Sequence, residues 1–234
     1  MDDAISYDEV LSSTMRELTA SFAEPNAVGD ALGRLTTAAV ELMAGVDYAD
    51  VLLVEDGQYR SLEPTSPIMT QLDTAQCELQ EGPCLEAASV DAVIRSPDIR
   101  NDPRWPRFGA AAAEAGVHRV LSYQLYTYSK GSGALNLFSR GTGTFDPEVE
   151  TIGAMLATHA AALIISANRE HQFQSALTSR DVIGQAKGII MERFHVDAVR
   201  AFELLTRLSQ DRNAPVRQIA QELVDRTTAD PPPG

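Results

Sequence analysis

The sequence predicts an α+β protein in which a domain of strands and helices is followed by a purely helical C-terminal region. Over residues 26–147, short apolar runs typical of strands alternate with segments of helical periodicity. From Glu148 to Ala214 the chain contains no proline, so nothing in that stretch interrupts a long helix. The charges divide near the same place, which indicates two regions with different surfaces.

Acidic residues are concentrated in the first region. Residues 1–167 contain 10 Lys or Arg and 24 Asp or Glu, whereas residues 168–228 contain 9 and 8. The net charge of the whole chain, −14, argues against a nucleic-acid partner. The C-terminal region, taken alone, is nevertheless open to an anionic partner.

The composition is that of an ordinary globular protein, with 234 residues of which 44% are apolar and 22% charged. No uninterrupted apolar run approaches the length of a membrane helix, so we expect no membrane span. The acidic start, "MDDAISYDEV", differs from a basic secretory signal. The only cysteines are Cys77 and Cys84, which suits a reducing compartment. We therefore expect a cytoplasmic protein.

The elements of the first region follow from residue spacing. An amphipathic pattern at Leu11, Met15, Leu18 and Phe22 predicts an N-terminal helix within residues 1–25, which we expect to contribute to dimerisation. A second helix is predicted over 28–42. Strands are predicted at "YADVLLVED", "DAVIRS", "HRVLSYQLY" and "GALNLFSR", with "TYSKGSG" as the hairpin connection between the last two. Between strands, "PRFGAAAAEAG" predicts a short helix that ends at Gly116.

A long helix is predicted to begin at Asp146, with that side chain as N-cap and Pro147 as the first helical residue. The residues at 149, 152, 156, 159, 163, 166, 170, 173 and 177 approximate a heptad seam. This seam predicts a dimeric helical stalk over residues 148–180. Two alternatives stay open: a helix that lies against its own domain, and a helix that restarts with Ser179 as its cap.

Two more helices are predicted downstream. The first, "DAVRAFELLTRLS", has Asp197 as its N-cap, and the second, "PVRQIAQELVD", follows Asn213. The tail at 229–234 is expected to be disordered.

The stretch "AKGIIMERF" places glycine inside an amphipathic helix, where it costs about 1 kcal/mol relative to alanine. An apolar arc is formed by Val182, Ile183, Ala186, Ile189, Ile190 and Phe194. Beside that arc lie Arg180 and Lys187, next to Gly184 and Gly188. Cationic side chains beside bare backbone suit a phosphate chain, although an ordinary solvated face has the same composition.

Residues 179–224 resemble the ANTAR domain, an RNA-binding antitermination module of bacteria. The resemblance rests on the Ala186–Met191 core, on "AFELL" at 201–205, on Ser209 and Asn213 before the last helix, and on Ile219 and Ala220. It implies a three-helix domain over 170–228 that binds paired stem-loops with hexanucleotide loops in RNA, as a dimer, and so prevents transcription termination. Pro215 departs from the basic residue of many members.

From spacing and resemblance together we predict a set of RNA contacts: Arg180, Lys187, Gly188, Met191, Ser209, Arg212, Asn213 and Arg217. In this interpretation Gly188 keeps the helix surface low, either for an unstacked loop base or for close packing of the next helix.

Residues 26–165 resemble a GAF domain, a small-molecule-sensing fold with a central antiparallel sheet and flanking helices. The resemblance rests on "EGPCLEA", "DPRWPRFGAAAAEAGV", "VLSYQLY" and "GALNLFS". It implies a sensory domain whose ligand and cofactor are unknown. Cys84 is a candidate sensory residue, because a helix N-terminus lowers the pKa of a thiol, but a small buried side chain is the alternative.

Three other functions fit parts of the sequence. A GAF-fold methionine sulfoxide reductase would use Cys84 as nucleophile and Cys77 as resolving thiol, but the third cysteine that the resemblance implies is missing. A DNA-binding regulator would use the last two helices, although the final one carries few base-reading side chains. A pure interaction module, whose helices act only as a dimerisation stalk, is the third possibility. We therefore expect a regulator and not an enzyme.

Overall fold

The computed structural model describes residues 28–55, 58–89, 92–126 and 131–229, together with residues 12, 13 and 16. The helix expected within residues 1–25 lies largely outside the described residues, as do positions 127–130 of the hairpin connection and the tail at 230–234. The chain divides into two compact units, Met1–Asn168 and Arg169–Gly234.

The first unit is built on a five-stranded antiparallel sheet with the strand order β2-β1-β5-β4-β3. The strands are β1 (Tyr48–Glu55), β2 (Gln58–Leu62), β3 (Val93–Ser96), β4 (Arg119–Tyr126) and β5 (Gly131–Ser139). The predicted α+β class and central antiparallel sheet are thus confirmed. Strand β2 was not expected from the sequence, because "QYRSL" carries little apolar signal.

The helices are α1 (Val28–Leu42), α2 (Pro67–Leu79), α3 (Pro83–Ser89), α4 (Pro106–Glu114), α5 (Pro147–Phe194), α6 (Ala198–Arg212) and α7 (Val216–Ala229). A 3-10 turn, Ile99–Asn101, precedes α4. Helix α2 was also missed, although its start carries a recognisable signal. The Ser66 hydroxyl caps it by accepting a hydrogen bond from the Ile68 amide, and Pro67 follows.

Strand β1 shows how the sheet separates two apolar layers. Its residues Ala49, Val51 and Leu53 face α1 and the first part of α5, whereas Tyr48 and Leu52 face α2, α3 and α4. Both faces are covered, which explains why the strand has an almost continuous apolar sequence. Asp50 is the exception, since it is fully buried on the α2–α4 side.

Helix α5 starts in the core of the first unit. The side chains of Val149, Ile152, Leu156 and Leu163 are buried against the sheet. The predicted heptad seam is therefore wrong for these positions, because their own domain buries them and leaves nothing for a partner helix. The alternative of a helix lying on its own domain describes this part of α5.

The later part of α5 is exposed on the side of Phe173 and Leu177, whose relative exposures are 59% and 41%. The helix does not restart at Ser179, since it runs without a break to Phe194. The Ser179 hydroxyl donates instead to the carbonyl of Ser175 one turn earlier.

The start of α5 is capped, and two contacts fasten it to the sheet. The Asp146 carboxylate accepts from the Glu148 amide at 2.9 Å, as predicted for an N-cap. The Tyr123 hydroxyl donates to the carbonyl of Glu150 at 2.6 Å, and Arg95 forms an ion pair with the Glu150 carboxylate at 2.8 Å. Gly153 gives the Tyr123 ring room, because a Cβ there would lie 2.6 Å from the ring.

Among the described residues, α5 is the one helix that is long and apolar enough to cross a membrane, by length and composition only. The expectation from the sequence that no segment is long and apolar enough to span a membrane therefore does not hold for α5. Its most apolar window is 44% buried inside the protein, as in a core helix of a soluble protein, so the helix is weak evidence for a membrane span.

The second unit packs the end of α5 against α6 and α7. Its core contains Val182, Ala186 and Ile190 from the predicted apolar arc, with Ala201, Leu205, Ile219 and Ala220 from the other helices. Asp197 caps α6 as predicted, by accepting from the Arg200 amide at 2.8 Å. Phe194 departs from the arc and is 62% exposed, because α5 ends there.

We expect Gly109→Ala to lower the free energy of unfolding by about 1–3 kcal/mol, the usual cost of overpacking. A Cβ at this buried position of α4 would lie 2.4 Å from the carbonyl oxygen of Ile99, which is backbone and cannot rotate away. Thermal unfolding measures the effect. The matched control is Gly29→Ala in α1, where the nearest atom lies at 3.5 Å, and an equal loss in both variants would contradict the packing argument.

Candidate functional site

The first candidate site is a strip on the surface of α5 in the second unit. We call Arg180, Gly184, Lys187, Gly188 and Met191 the basic strip. Within the part of the chain that the structure describes, Arg180 and Lys187 make no ion pair and no hydrogen bond. Both cations are thus available to an anion from outside.

The two glycines of the strip face open space. A Cβ at Gly184 or at Gly188 would meet no atom of the described residues within 4 Å, apart from the adjacent backbone of its own helix. Close packing of the next helix is therefore not the reason for glycine at 188. A low surface for an outside partner stays a prediction. Glycine at 188 costs the helix about 1 kcal/mol relative to alanine, and no packing contact among the described residues compensates for that cost.

Ser209 and Asn213 lie in the turn between α6 and α7. The Ser209 hydroxyl donates to the carbonyl of Ala214. Asn213 ends α6 in the left-handed conformation, with φ 47°, and its amide donates to the carbonyl of Gln210. Both residues shape the turn, so their predicted RNA contacts would have to use atoms that this turn leaves exposed.

The remaining predicted contacts are partly engaged within the unit. Arg212 pairs with the Glu222 carboxylate at 2.5 Å, and this pair lowers the pKa of Glu222. Arg217 donates to the Ser175 hydroxyl at 3.4 Å, a long hydrogen bond. The structure therefore brings Arg180, Lys187, Gly188 and Met191 together on one surface, and it gives Arg212 an internal partner.

A second candidate site is buried in the first unit, where polar side chains form a row across the sheet. Ser122, Asn136 and Asp50 stand side by side on β4, β5 and β1, in register. All three are fully buried. The Asn136 amide donates to the Asp50 carboxylate at 2.8 Å.

Helices α2 and α3 cover this row with further polar groups. The Gln76 amide donates to the Cys84 sulfur at 2.8 Å, and its oxygen accepts from the Cys84 backbone amide at 2.9 Å. Asp73 lies one turn before Gln76 and interacts with Asp50. We call Asp50, Asp73, Gln76, Cys84, Ser122 and Asn136 the buried polar site.

Several atoms of this site have no hydrogen-bond partner among the described residues. They are one carboxylate oxygen each of Asp50 and Asp73, the Ser122 hydroxyl and the Asn136 carbonyl oxygen. Unpartnered buried polar atoms are costly and rare, at about 1–3 kcal/mol each. Of these atoms, the Asn136 carbonyl oxygen can only accept, so the site favours a group that donates a hydrogen bond there.

The two carboxyls favour their protonated forms. Burial raises the pKa of Asp50 well above its ordinary value, and the adjacent Asp73 raises it further. Burial also raises the pKa of Asp73. Two carboxyls that share one site cannot both ionise at low cost, so the pair favours binding a proton more than two separate carboxyls would.

Cys84 does not have the predicted low pKa. The thiol is fully buried, and this burial raises its pKa well above the usual value, an effect that Asp73 and Asp50 strengthen. Burial likewise raises the pKa of Cys77 to about 11. The expected effect of the helix N-terminus is outweighed, and the alternative of a small buried side chain describes Cys84.

Comparison with protein families agrees with both resemblances. A model of the ANTAR domain matches residues 171–224, and a model of the GAF domain matches residues 26–165. The match to the GAF domain covers more than half of the chain. No curated protein sequence matches the chain.

Solved structures share the fold of the first unit at low identity. The GAF domain of a phosphoenolpyruvate-protein phosphotransferase from Coxiella burnetii is 19% identical, with a TM-score of 0.55 over 73% of this chain and 99% of that chain. Free methionine-R-sulfoxide reductase from Neisseria meningitidis is 16% identical, with a TM-score of 0.52 over 73% and 95%. The photosensory core module of Stigmatella aurantiaca phytochrome is 12% identical, with 0.58 over 89% and 46%. Such identities show the fold alone.

We expect Asp50→Asn to stabilise the protein at pH 8 and to lose this advantage towards pH 4. Between the unfolded value of about 3.9 and the raised native pKa, the folded wild type binds more protons than the unfolded chain, so its stability falls as pH rises through that window. Each pKa unit corresponds to about 1.4 kcal/mol. Thermal unfolding at a series of pH values measures the difference.

Asp98→Asn is the control of opposite sign. The hydrogen bond from Arg100 lowers the pKa of Asp98 to about 2, so its contribution is present above the unfolded value and is lost as pH falls towards 2. That variant should be less stable than the wild type at pH 8. A loss of stability for Asp50→Asn that is equal at pH 8 and pH 4 would contradict a protonated native carboxyl.

Proposed function

This chain belongs to the GAF domain family and carries a C-terminal ANTAR domain, and from that premise we propose that it is a signal-responsive regulator that binds paired hexaloop stem-loops in nascent mRNA and prevents transcription termination. The observation that carries the proposal is the basic strip, with two unpaired cations beside glycines that face open space.

The strip suits a nucleic-acid backbone better than a protein partner. Arg180 and Lys187 offer charge to phosphates, and the absent Cβ atoms of Gly184 and Gly188 allow sugar or base atoms to approach the helix. Unstacked loop bases are the part of RNA that proteins usually recognise by sequence. On α7, by contrast, the Glu222 carboxylate neutralises Arg212, which argues against a duplex-DNA reader using that helix.

Helix α5 provides a route for the signal. Its first part belongs to the core of the GAF domain, and its last part belongs to the core of the ANTAR domain. In this proposal a ligand at the buried polar site changes the conformation of α5 and thereby the exposure or spacing of two RNA-binding domains. The architecture points to a regulator rather than an enzyme, and we propose a cytoplasmic location with no membrane attachment.

We expect Lys187→Ala to weaken binding of a labelled tandem hexaloop-hairpin RNA and to reduce the slope of log affinity against log salt by about one phosphate contact. Fluorescence anisotropy across a salt series measures both quantities, with a loop-scrambled RNA and a duplex DNA as competitors. Preferential binding of the duplex would favour the DNA-binding alternative.

The matched control is Arg193→Ala, which removes the same charge from an exposed position of the same helix, about 120° away from Lys187 at 100° per residue. We expect its affinity to stay close to that of the wild type. If both variants lost the same affinity and slope, general charge would explain the binding and the strip would have no special role.

We also propose that the chain forms a homodimer through the exposed part of α5. Phe173 and Leu177 are four residues apart, so they lie on one helix face, and both are largely exposed. The double variant Phe173→Ser and Leu177→Ser should shift the protein to the monomer in sedimentation velocity. The control Val199→Ser changes an exposed apolar residue of α6, outside α5, and should leave the oligomeric state unchanged.

A further inference from the structure

We propose that one groove of the ANTAR domain holds a single unstacked base of the RNA loop, with Phe202 as the stacking surface and with Arg180 and Lys187 on the flanking phosphates. The inference rests on the proposed RNA-binding function and adds the residue that receives the base. Phe202 was not among the contacts predicted from the sequence.

The groove lies between α5 and α6 and has a volume of about 700 Å³. Ala176, Ile183 and Phe202 make its apolar lining, while Arg180 and Lys187 supply charge. Its size is within the range of about 300–1,000 Å³ that small-ligand clefts occupy. A nucleotide combines the two properties that this lining complements, a flat apolar base and an anionic phosphate.

Phe202 is 44% exposed, although its neighbours along α6, Ala201 and Leu205, are buried in the core. The aromatic residues Trp105, Phe108 and Phe138 of the first unit are, in contrast, buried. An exposed ring beside cations offers the stacking platform on which proteins place single-stranded bases.

The charges favour this groove over its neighbour. A second groove, of about 380 Å³, carries two cations, Arg212 and Arg226, but also the Glu222 carboxylate, which pairs with Arg212. The lining of the groove at Phe202 holds two cations, Arg180 and Lys187, and no carboxylate. An anion would therefore gain more at Phe202 than at the second groove.

Gly184 lies in the lining of the groove and provides an independent steric test. A Cβ at this position would meet no atom of the chain within 4 Å. Alanine is also the better residue inside a helix. The variant Gly184→Ala should therefore fold at least as well as the wild type, and its methyl group can collide only with a bound partner.

The experiment uses the full chain and hairpin RNAs in which 2-aminopurine replaces each loop base in turn. On the wild type we expect strong quenching at one loop position, because stacking on an aromatic ring quenches this base. Phe202→Leu should abolish that quenching and weaken binding roughly 5- to 150-fold, the range for one lost stacking contact. Phe194→Leu, which changes the exposed phenylalanine of the second groove, should bind within about twofold of the wild type.

Gly184→Ala is measured in parallel and should lose about tenfold or more in affinity while its unfolding temperature stays equal or rises. This second variant keeps the test valid if Phe202→Leu lowers the stability of the domain. Loop-dependent binding of the wild type with unchanged quenching and affinity in both variants would overturn the base pocket and leave the proposed function standing. An absence of loop-dependent binding by the wild type would overturn both.

Discussion

The structure depends on a single helix that has to satisfy two cores. At its start α5 buries Val149, Ile152 and Leu156 against the sheet, and at its end it buries Ala186 and Ile190 against α6 and α7. The sequence of α5 therefore cannot be optimised for either core alone.

Local signals in the sequence predicted much of the fold. The caps at Asp146 and Asp197 and the apolar run of β1 depend on neighbouring residues only, and all were confirmed. The first part of the heptad seam failed because spacing shows that a face is apolar but not what covers it, and Leu156 and Leu163 are covered by their own domain. Strand β2 is stabilised by pairing with β1, and the sequence of β2 itself gives little indication of this pairing.

The two candidate sites also differ in how far the sequence alone predicts them. Arg180, Lys187 and Gly188 lie on one helix, so helical spacing alone placed them on one surface. The buried polar site draws residues from three strands and two helices, so no short motif contains it. Its one sequence signal is Asp50, a charge in the middle of an apolar strand. Cys84 was judged by its position at a helix start, whereas burial among carboxyls determines its chemistry.

The open glycines of α5 have a consequence for redesign. Any procedure that scores this chain by its own internal energy will replace Gly184 and Gly188 with alanine, since the change meets no atom of the chain and improves the helix. In the proposed function these are the two positions where such an improvement removes recognition. The two glycines thus mark a local trade-off between stability and activity, because the folded protein alone would be more stable with alanine at both positions.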